Sequence, residues 1–248
     1  MVRILAVFNQ AGGVGKTTVT MNVGYHLAEA GKRVLLIDMD PQASLTTFMG
    51  LNPDTETQTV YNALVDGVPL PIRCGLHSMD IAPANENLSA AEKMLSDEIL
   101  KELTLKNTLE FVKANYDFIL LDCPPSLGFL SIASLLAASH ILIPIETEYK
   151  ALEGTRQLIK TIQKVRKGNG ALKIAGIIPT IYDARLTQEK RNLKKIEDTF
   201  KAAIVFPPIP DRTDFANASQ AHVPLALYAP NNQAIPVLQK IATTLGKL

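Results

Sequence analysis

Phe8-Asn9-Gln10-Ala11-Gly12-Gly13-Val14-Gly15-Lys16-Thr17-Thr18-Val19 decides the reading of this chain. The apolar run Ile4-Leu5-Ala6-Val7-Phe8 that leads into it predicts a buried strand, and Val19 to Ala28 has apolar residues at helical spacing. A strand, a glycine-rich turn and a helix opening at Gly15-Lys16-Thr17 make a phosphate cradle. Glycines let successive backbone N–H groups converge on phosphate oxygens with no side chain in the way. The helix N-terminus adds partial positive charge. On this pattern Gly12, Gly13, Val14, Gly15, Lys16, Thr17 and Thr18 hold the phosphates. Lys16 reaches the outer ones, and the Thr17 hydroxyl completes a Mg²⁺ shell. The strict pattern asks for glycine at position 10, where this chain has Gln10, so the loop is atypical.

Two further apolar runs end in carboxylates. Val34-Leu35-Leu36-Ile37 leads into Asp38-Met39-Asp40-Pro41-Gln42, and Phe118-Ile119-Leu120-Leu121 leads into Asp122-Cys123-Pro124-Pro125. Both runs are continuous in apolar residues, as strands covered on two faces are. Ligands of open α/β sheets gather at the carboxyl edge of the strands, so Asp38, Asp40 and Asp122 are placed to hold a metal-bound or attacking water. Ser139 to Ile145 predicts another strand, which puts Glu146 to Gly154 on the same edge. Thr155 to Lys167 and the helix after Asp183-Ala184-Arg185 carry basic faces. In the second of these, Lys190 and Lys194, and Arg191 and Lys195, are four apart and share a side.

The chain has 248 residues, 47% of them hydrophobic, which is enough for one large domain over 1–248. No apolar tract is long enough to span a membrane, and residues 2 to 8 fit a strand rather than a signal peptide. Cys74 and Cys123 lie too far apart for metal-ligand spacing, and reduced thiols in a cytoplasmic setting are the plain reading. A net charge of +1 excludes a strongly basic body, so any nucleic-acid contact must come from a local patch. Short helices are expected at Ser44 to Met49 and Val60 to Val65. A loop is expected around Pro69, Pro71 and Gly75, a helical region from Leu88 to Ala114 with a break near Leu103-Thr104, and strands at Met79 to Ala82, Leu172 to Pro179 and Ala203 to Phe206. A last helix starts near Pro236. Alternating strands and helices predict a doubly wound, mostly parallel α/β sheet with helices on both faces.

With these residues in view, the chain resembles the ParA/MinD family of deviant Walker ATPases over nearly its whole length. The runs that carry the resemblance are Asn9 to Thr18, Val34 to Gln42, Tyr116 to Ser126, Glu148 to Gly154 and Tyr182 to Arg185. It implies a homodimer that sandwiches ATP and Mg²⁺ and binds non-sequence-specific DNA, the nucleoid. An adaptor of the ParB or McdB kind would stimulate hydrolysis and switch it off. By position, the resemblance assigns Lys16 to phosphate, Thr17, Asp40 and Asp122 to Mg²⁺, and Asp40 to the attacking water with Asp38 beside it. Pro208, Ile209, Pro210 and Asp211 resemble the adenine-side loop. Arg185 matches a position associated with DNA. A later basic position of that surface is Asp214 here, with Arg212 nearby as the compensating cation.

The main departure is Ala11. The family pattern is Lys-Gly-Gly-x-Gly-Lys-Thr, and its first lysine reaches across the dimer to the partner's phosphates. Charge at such places commonly contributes several kcal/mol. Lys150, on the nucleotide edge, is the candidate replacement. This combination resembles the McdA branch of ParA-like proteins, which position carboxysomes. Plasmid or chromosome partition is the alternative within the family. A MinD-type membrane switch would need a basic amphipathic tail, and this tail offers only Lys240 and Lys247. An iron–sulfur reductase would need two cysteines per subunit near the dimer axis. A scaffold that holds ATP without turnover is the reading that Ala11 leaves open.

Overall fold

The computed structural model describes residues 2–211 and 213–248; the side chains of residues 149–153, 155 and 156 lie outside that description. Its strands are β1 (Arg3–Val7), β2 (Val34–Asp38), β3 (Arg73–Leu76), β4 (Met79–Ala82), β5 (Phe118–Asp122), β6 (His140–Glu146) and β7 (Lys173–Thr180). Among the described residues they form one seven-stranded sheet in the order β3-β4-β2-β5-β1-β6-β7. All neighbouring pairs are parallel except β3 and β4. Every residue of β2 and β5 is buried, which is why neither alternates in polarity.

Along the chain the helices are α1 (Lys16–Glu29), α2 (Ser44–Phe48), α3 (Val60–Val65), α4 (Ala91–Met94), α5 (Thr104–Glu110) and α6 (Phe129–Ala137). They continue with α7 (Tyr149–Val165), α8 (Thr187–Thr199), α9 (Thr213–Gln220), α10 (Leu225–Tyr228) and α11 (Ile235–Leu245). One core layer joins Leu5, Val7, Leu36 and Leu120 of the sheet to Val19 and Val23 of α1, and to Leu238 and Ile241 of α11. The opposite layer joins Leu35, Ile37 and Leu121 to Ala63, Leu105, Ala133, Leu158 and Ile196. The amphipathic stripe expected after Pro236 thus packs against α1, with the proline in the first turn.

Position in the sheet matters more here than sequence order. β1 lies between β5 and β6. The chain leaves β1 towards β2 on one side and later returns to β6 on the other. That reversal opens a crevice at the carboxyl end of β1.

Four local expectations are corrected. Residues 73–76 form the edge strand β3, past the two prolines that mark the loop, with Gly75 at φ 78°. The helical region from Leu88 to Ala114 is in several short pieces, with the sharpest break at Leu100 (φ 60°), a few residues before the one expected near Leu103-Thr104. The preceding Ser96 and Asp97 bond to each other (3.4 Å), and such side chains compete with helical backbone bonding. α7 begins at Tyr149 rather than Thr155. Ala203 to Phe206 makes only an isolated bridge, Val205 to Ile177, because Pro207 and Pro208 cannot extend a ladder. No helix among the described residues is long and apolar enough to cross a membrane.

Candidate active site

Val7, Asp38 and Asp122 are level in the β-ladder, so the loops after β1, β2 and β5 converge at one edge. The loop after β1 is splinted by buried Asn9. Its Nδ2 donates to Pro144 O at 2.7 Å, and its Oδ1 accepts from Ala11 N at 3.0 Å. Gln10 turns sideways and donates to Thr161 Oγ1 of α7 at 2.8 Å, which leaves the cradle clear. Gly13 and Gly15 have φ of 75° and 83°, a region that residues with a Cβ enter only with strain. The space where a Gly13 side chain would stand is open.

Lys16, the first residue of α1, is buried and donates from Nζ to Ala11 O at 2.7 Å. Burial pulls its pKa below the usual lysine value, and Asp122 is the strongest influence in the other direction. Thr17 Oγ1 donates to Asp122 Oδ2 at 2.7 Å, and the Thr20 hydroxyl stands 3.0 Å from Asp122 Oδ1. Burial, then the nearby Asp38 carboxylate, raises the Asp122 pKa; the two threonine hydroxyls oppose the rise. Burial likewise raises Asp38.

Asp38 does not point into open space. Its Oδ2 accepts from Thr46 N (2.8 Å) and Thr46 Oγ1 (2.7 Å), and its Oδ1 accepts from Asp40 N (3.1 Å). Its carboxylate therefore holds the loop that carries Asp40. Asp40 itself is half-buried, with Oδ1 accepting from Gln42 N at 3.0 Å. The oxygens of Thr17, Asp122 and Asp40 are the hard donors Mg²⁺ prefers, and two buried carboxylates side by side call for a cation. Among the described residues no cluster of three or more His, Cys, Asp or Glu can hold a metal alone. Mg²⁺ in phosphate sites is commonly held by one or two carboxylates together with substrate phosphates. The residues present fit a phosphate–Mg²⁺ ligand.

A cavity of about 660 Å³ adjoins the loop, lined by Gly15, Thr18, Phe48, Ile181 and Phe215 among others. Ile209, Pro210 and Asp211 of the expected adenine-side loop line it; Pro208 does not. This segment is tied to the end of β7 through Ile209 N to Pro179 O (2.8 Å) and Asp211 N to Tyr182 O (3.1 Å). Thr180 Oγ1 donates to Val14 O at 2.9 Å, closing the cavity against the phosphate loop. Cys123 is buried, and burial pushes its thiol up to about 12, so it is an inert core residue.

The candidate nucleic-acid residues are placed less simply. Lys190, Arg191, Lys194 and Lys195 are exposed on α8, but Lys194 pairs with Asp198 (3.5 Å) and Glu197 (3.8 Å). Arg185 forks onto Asp183, with Nη2 at 2.7 Å from Oδ2. The patch is therefore less positive than helical spacing alone suggests. The Lys150 side chain and Arg212 lie outside the described residues. Asn9, Thr20, Thr46 and Thr180 escaped the sequence reading. Only Thr20 carried a signal, three residues after Thr17 on one helical face.

A family model described as an AAA domain matches residues 2–174. The sporulation initiation inhibitor protein Soj of Bacillus subtilis is 39% identical over 98% of this chain and 97% of its own length. The chromosome partitioning protein ParA of Myxococcus xanthus is 37% identical, covering 91% and 81%. A structure titled cobyrinic acid a,c-diamide synthase from Mycobacterium smegmatis, with bound ADP and magnesium, superposes with TM-score 0.88. It is 34% identical, and the match covers 100% of this chain and 95% of that one. An ATP complex of McdA from Cyanothece also superposes (TM-score 0.88; 99% and 96% covered), but at 24% identity that likeness is one of fold. Phosphate loop, level acidic strand ends and these relatives agree: the chain belongs to the ParA/MinD family of P-loop ATPases.

Proposed function

We propose that this chain is an ATP-hydrolysing switch that pairs with a second copy when ATP and Mg²⁺ are bound and attaches to DNA without regard to sequence. In that state it moves or segregates a cargo with an adaptor protein. The observation that carries the reading is the meeting of Thr17, Lys16, Asp122 and Asp40 at one sheet edge. The whole of 1–248 acts as one ATPase domain, located on the nucleoid.

Each residue has a role that its surroundings allow. Glycines 12, 13 and 15 and the start of α1 present N–H groups to phosphate. Lys16 leaves the Ala11 carbonyl for the outer phosphates. Thr17, Asp122 and Asp40 hold Mg²⁺, which supplies charge neutralisation on the phosphate oxygens when bound. Asp40 orients the attacking water, and Asp38 keeps the Asp40 loop in place.

Partition of DNA, through an adaptor of the ParB kind, is the cargo reading that the names of the relatives favour. Carboxysome positioning with an McdB-like adaptor is the second reading. It is favoured by Ala11, an exposed residue where a lysine reaching across a dimer is expected, together with Lys150 as its replacement.

The test joins light scattering with DNA retardation. ATP-loaded protein is expected to run as a dimer and to retard unrelated duplexes alike at low salt. Retardation should fade by ~200 mM salt, as phosphate-dominated binding does. Lys150→Ala is expected to abolish the dimer and keep nucleotide binding. Failure to retard any DNA at low salt overturns the DNA reading, and an unchanged Lys150→Ala dimer overturns the role of Lys150.

A further inference from the structure

A chain of hydrogen bonds leads away from the phosphate loop to the far side of the site. Thr180 Oγ1 donates to Val14 O of the loop at 2.9 Å, and Thr180 O accepts from Thr147 N at 3.2 Å. Thr147, fully buried, donates from Oγ1 to Glu189 Oε2 of α8 at 2.9 Å. The same Glu189 oxygen accepts from Asp183 N. Asn192, one turn along α8 and also fully buried, donates from Nδ2 to Thr147 O at 2.9 Å. Asp183 in turn grips Arg185 through both the backbone N–H and the guanidinium.

The path passes beside a strained residue. Ile181 has φ 55°, a conformation that is an outlier for a β-branched side chain. It stands between Thr180 and Tyr182 and lines the cavity next to the phosphate loop. Such strain persists only where the surroundings over-determine it, and it clusters at ligand clamps and switches. Here Tyr182 N bonds to Ile209 O (3.1 Å) on one side, and Glu189 holds Asp183 N on the other.

We infer that Glu189 is a positioning residue that ties the phosphate loop, through Thr147 and Thr180, to the turn bearing Arg185, so that nucleotide occupancy sets the conformation of residues 182–192. The inference rests on the nucleotide-binding reading above and not on DNA binding. Ile181 lines the cavity that would receive the base, so a bound nucleotide would act on the turn at this residue. Glu189, bonded to Asp183 N and Thr147 Oγ1, would carry a shift of that turn into α8. The two donors on Glu189 are neutral, so the strut works by hydrogen bonding rather than by charge.

Hydrogen–deuterium exchange with and without Mg-ADP tests this, read on segments 10–18 and 182–192. In the unmodified protein both segments are expected to exchange at least ~5-fold more slowly with nucleotide, as ligand-tightened regions do. Glu189→Ala should keep the protection of 10–18 and lose that of 182–192. Glu189→Gln, whose amide oxygen can accept the same two bonds, should restore it. Thr147→Val, which lacks only the hydroxyl donor, should behave as Glu189→Ala does and decides the matter if Glu189→Ala is poorly folded. Equal protection of 182–192 in Glu189→Ala or Thr147→Val overturns the inference. So does its absence in the unmodified protein while 10–18 is protected, or a Glu189→Gln that fails alongside Glu189→Ala. Unprotected 10–18 overturns nucleotide binding and the strut together. Intact coupling without DNA retardation counts against DNA binding alone.

Discussion

Thr17 and Asp122 are 105 positions apart in sequence, yet the threonine hydroxyl donates to the carboxylate at 2.7 Å. Both belong to α1 or β5 by local pattern, but only the parallel pairing of β1 with β5 brings the start of one helix to the end of a distant strand. The bond keeps a buried anion ready for a cation. Burial and the neighbouring Asp38 carboxylate work against that bond and raise the Asp122 pKa, so the anion weakens the fold unless a cation offsets it.

Replacing Asp122 by Asn should therefore stabilise the nucleotide-free protein. A carboxyl whose folded pKa is raised binds more protons folded than unfolded, so its contribution to stability falls as pH climbs above the unfolded value of about 4. The benefit of Asp122→Asn is expected to be small near pH 4 and to grow toward pH 8. If ~1–2 kcal/mol of burial penalty is removed, the thermal midpoint rises by about 2–8 °C. The same variant should lose the Mg²⁺-dependent part of its stabilisation by ADP. Thermal scans at two pH values, with and without Mg-ADP, check both halves; a lower midpoint at pH 8 would contradict the first.

Asp40 separates binding from turnover. Its carboxylate caps Gln42 N in its own loop, so Asp40→Ala should leave ADP affinity without Mg²⁺ within a few-fold. Phosphate release in a single turnover should slow by at least ~10²-fold, the usual scale for a positioned catalytic carboxylate. A variant that hydrolyses ATP at the unmodified rate would remove Asp40 from the mechanism.

Gly176 in β7 is packed flat against Phe206, whose ring carbons occupy the place a Cβ would need. Phe206 lies three residues before Ile209, where the segment that lines the cavity begins. Gly176→Ala is expected to lower stability by ~1–3 kcal/mol through overpacking. It should also weaken nucleotide binding, since Ile209 and Pro210 must shift with the ring. Calorimetry of ADP binding beside a denaturation curve tests whether the two losses appear together.

Asp117 gives a pH dependence of the opposite sign. Hydrogen bonds from the Arg33 side chain and backbone hold its carboxyl down to about 2. A depressed carboxylate pKa contributes stability above the unfolded value of about 4, and that contribution is lost as pH falls toward 2. The pair is exposed, with 60% of the Arg33 and 37% of the Asp117 side chain accessible, so solvent screening keeps its contribution small. Asp117→Asn should lower the thermal midpoint by about 1–2 °C at pH 7 and leave it unchanged near pH 2.

The elements that were legible in the sequence are those built from neighbours in the chain. The glycine spacing before Lys16, the continuous apolar runs of β2 and β5, the acidic residues at their ends and the first-turn proline of α11 are local patterns with local physical causes. The edge strand β3 was hidden because its pairing is made on one side only and follows two prolines. The interruption expected near Leu103-Thr104 is sharpest at Leu100 instead, because Ile99 and Lys101 on either side carry no turn signal.

The contacts that complete the site could not be read, because they join residues whose separation carries no period. Gln10 and Thr161, Asp38 and Thr46, Thr180 and Val14, and Thr147 and Glu189 meet only once the strand order is established. Composition and spacing determined that a phosphate loop faces acidic strand ends. The parallel register decided which hydroxyl reaches which carboxylate, since a hydrogen bond is set by ångströms of three-dimensional placement and not by distance along the chain.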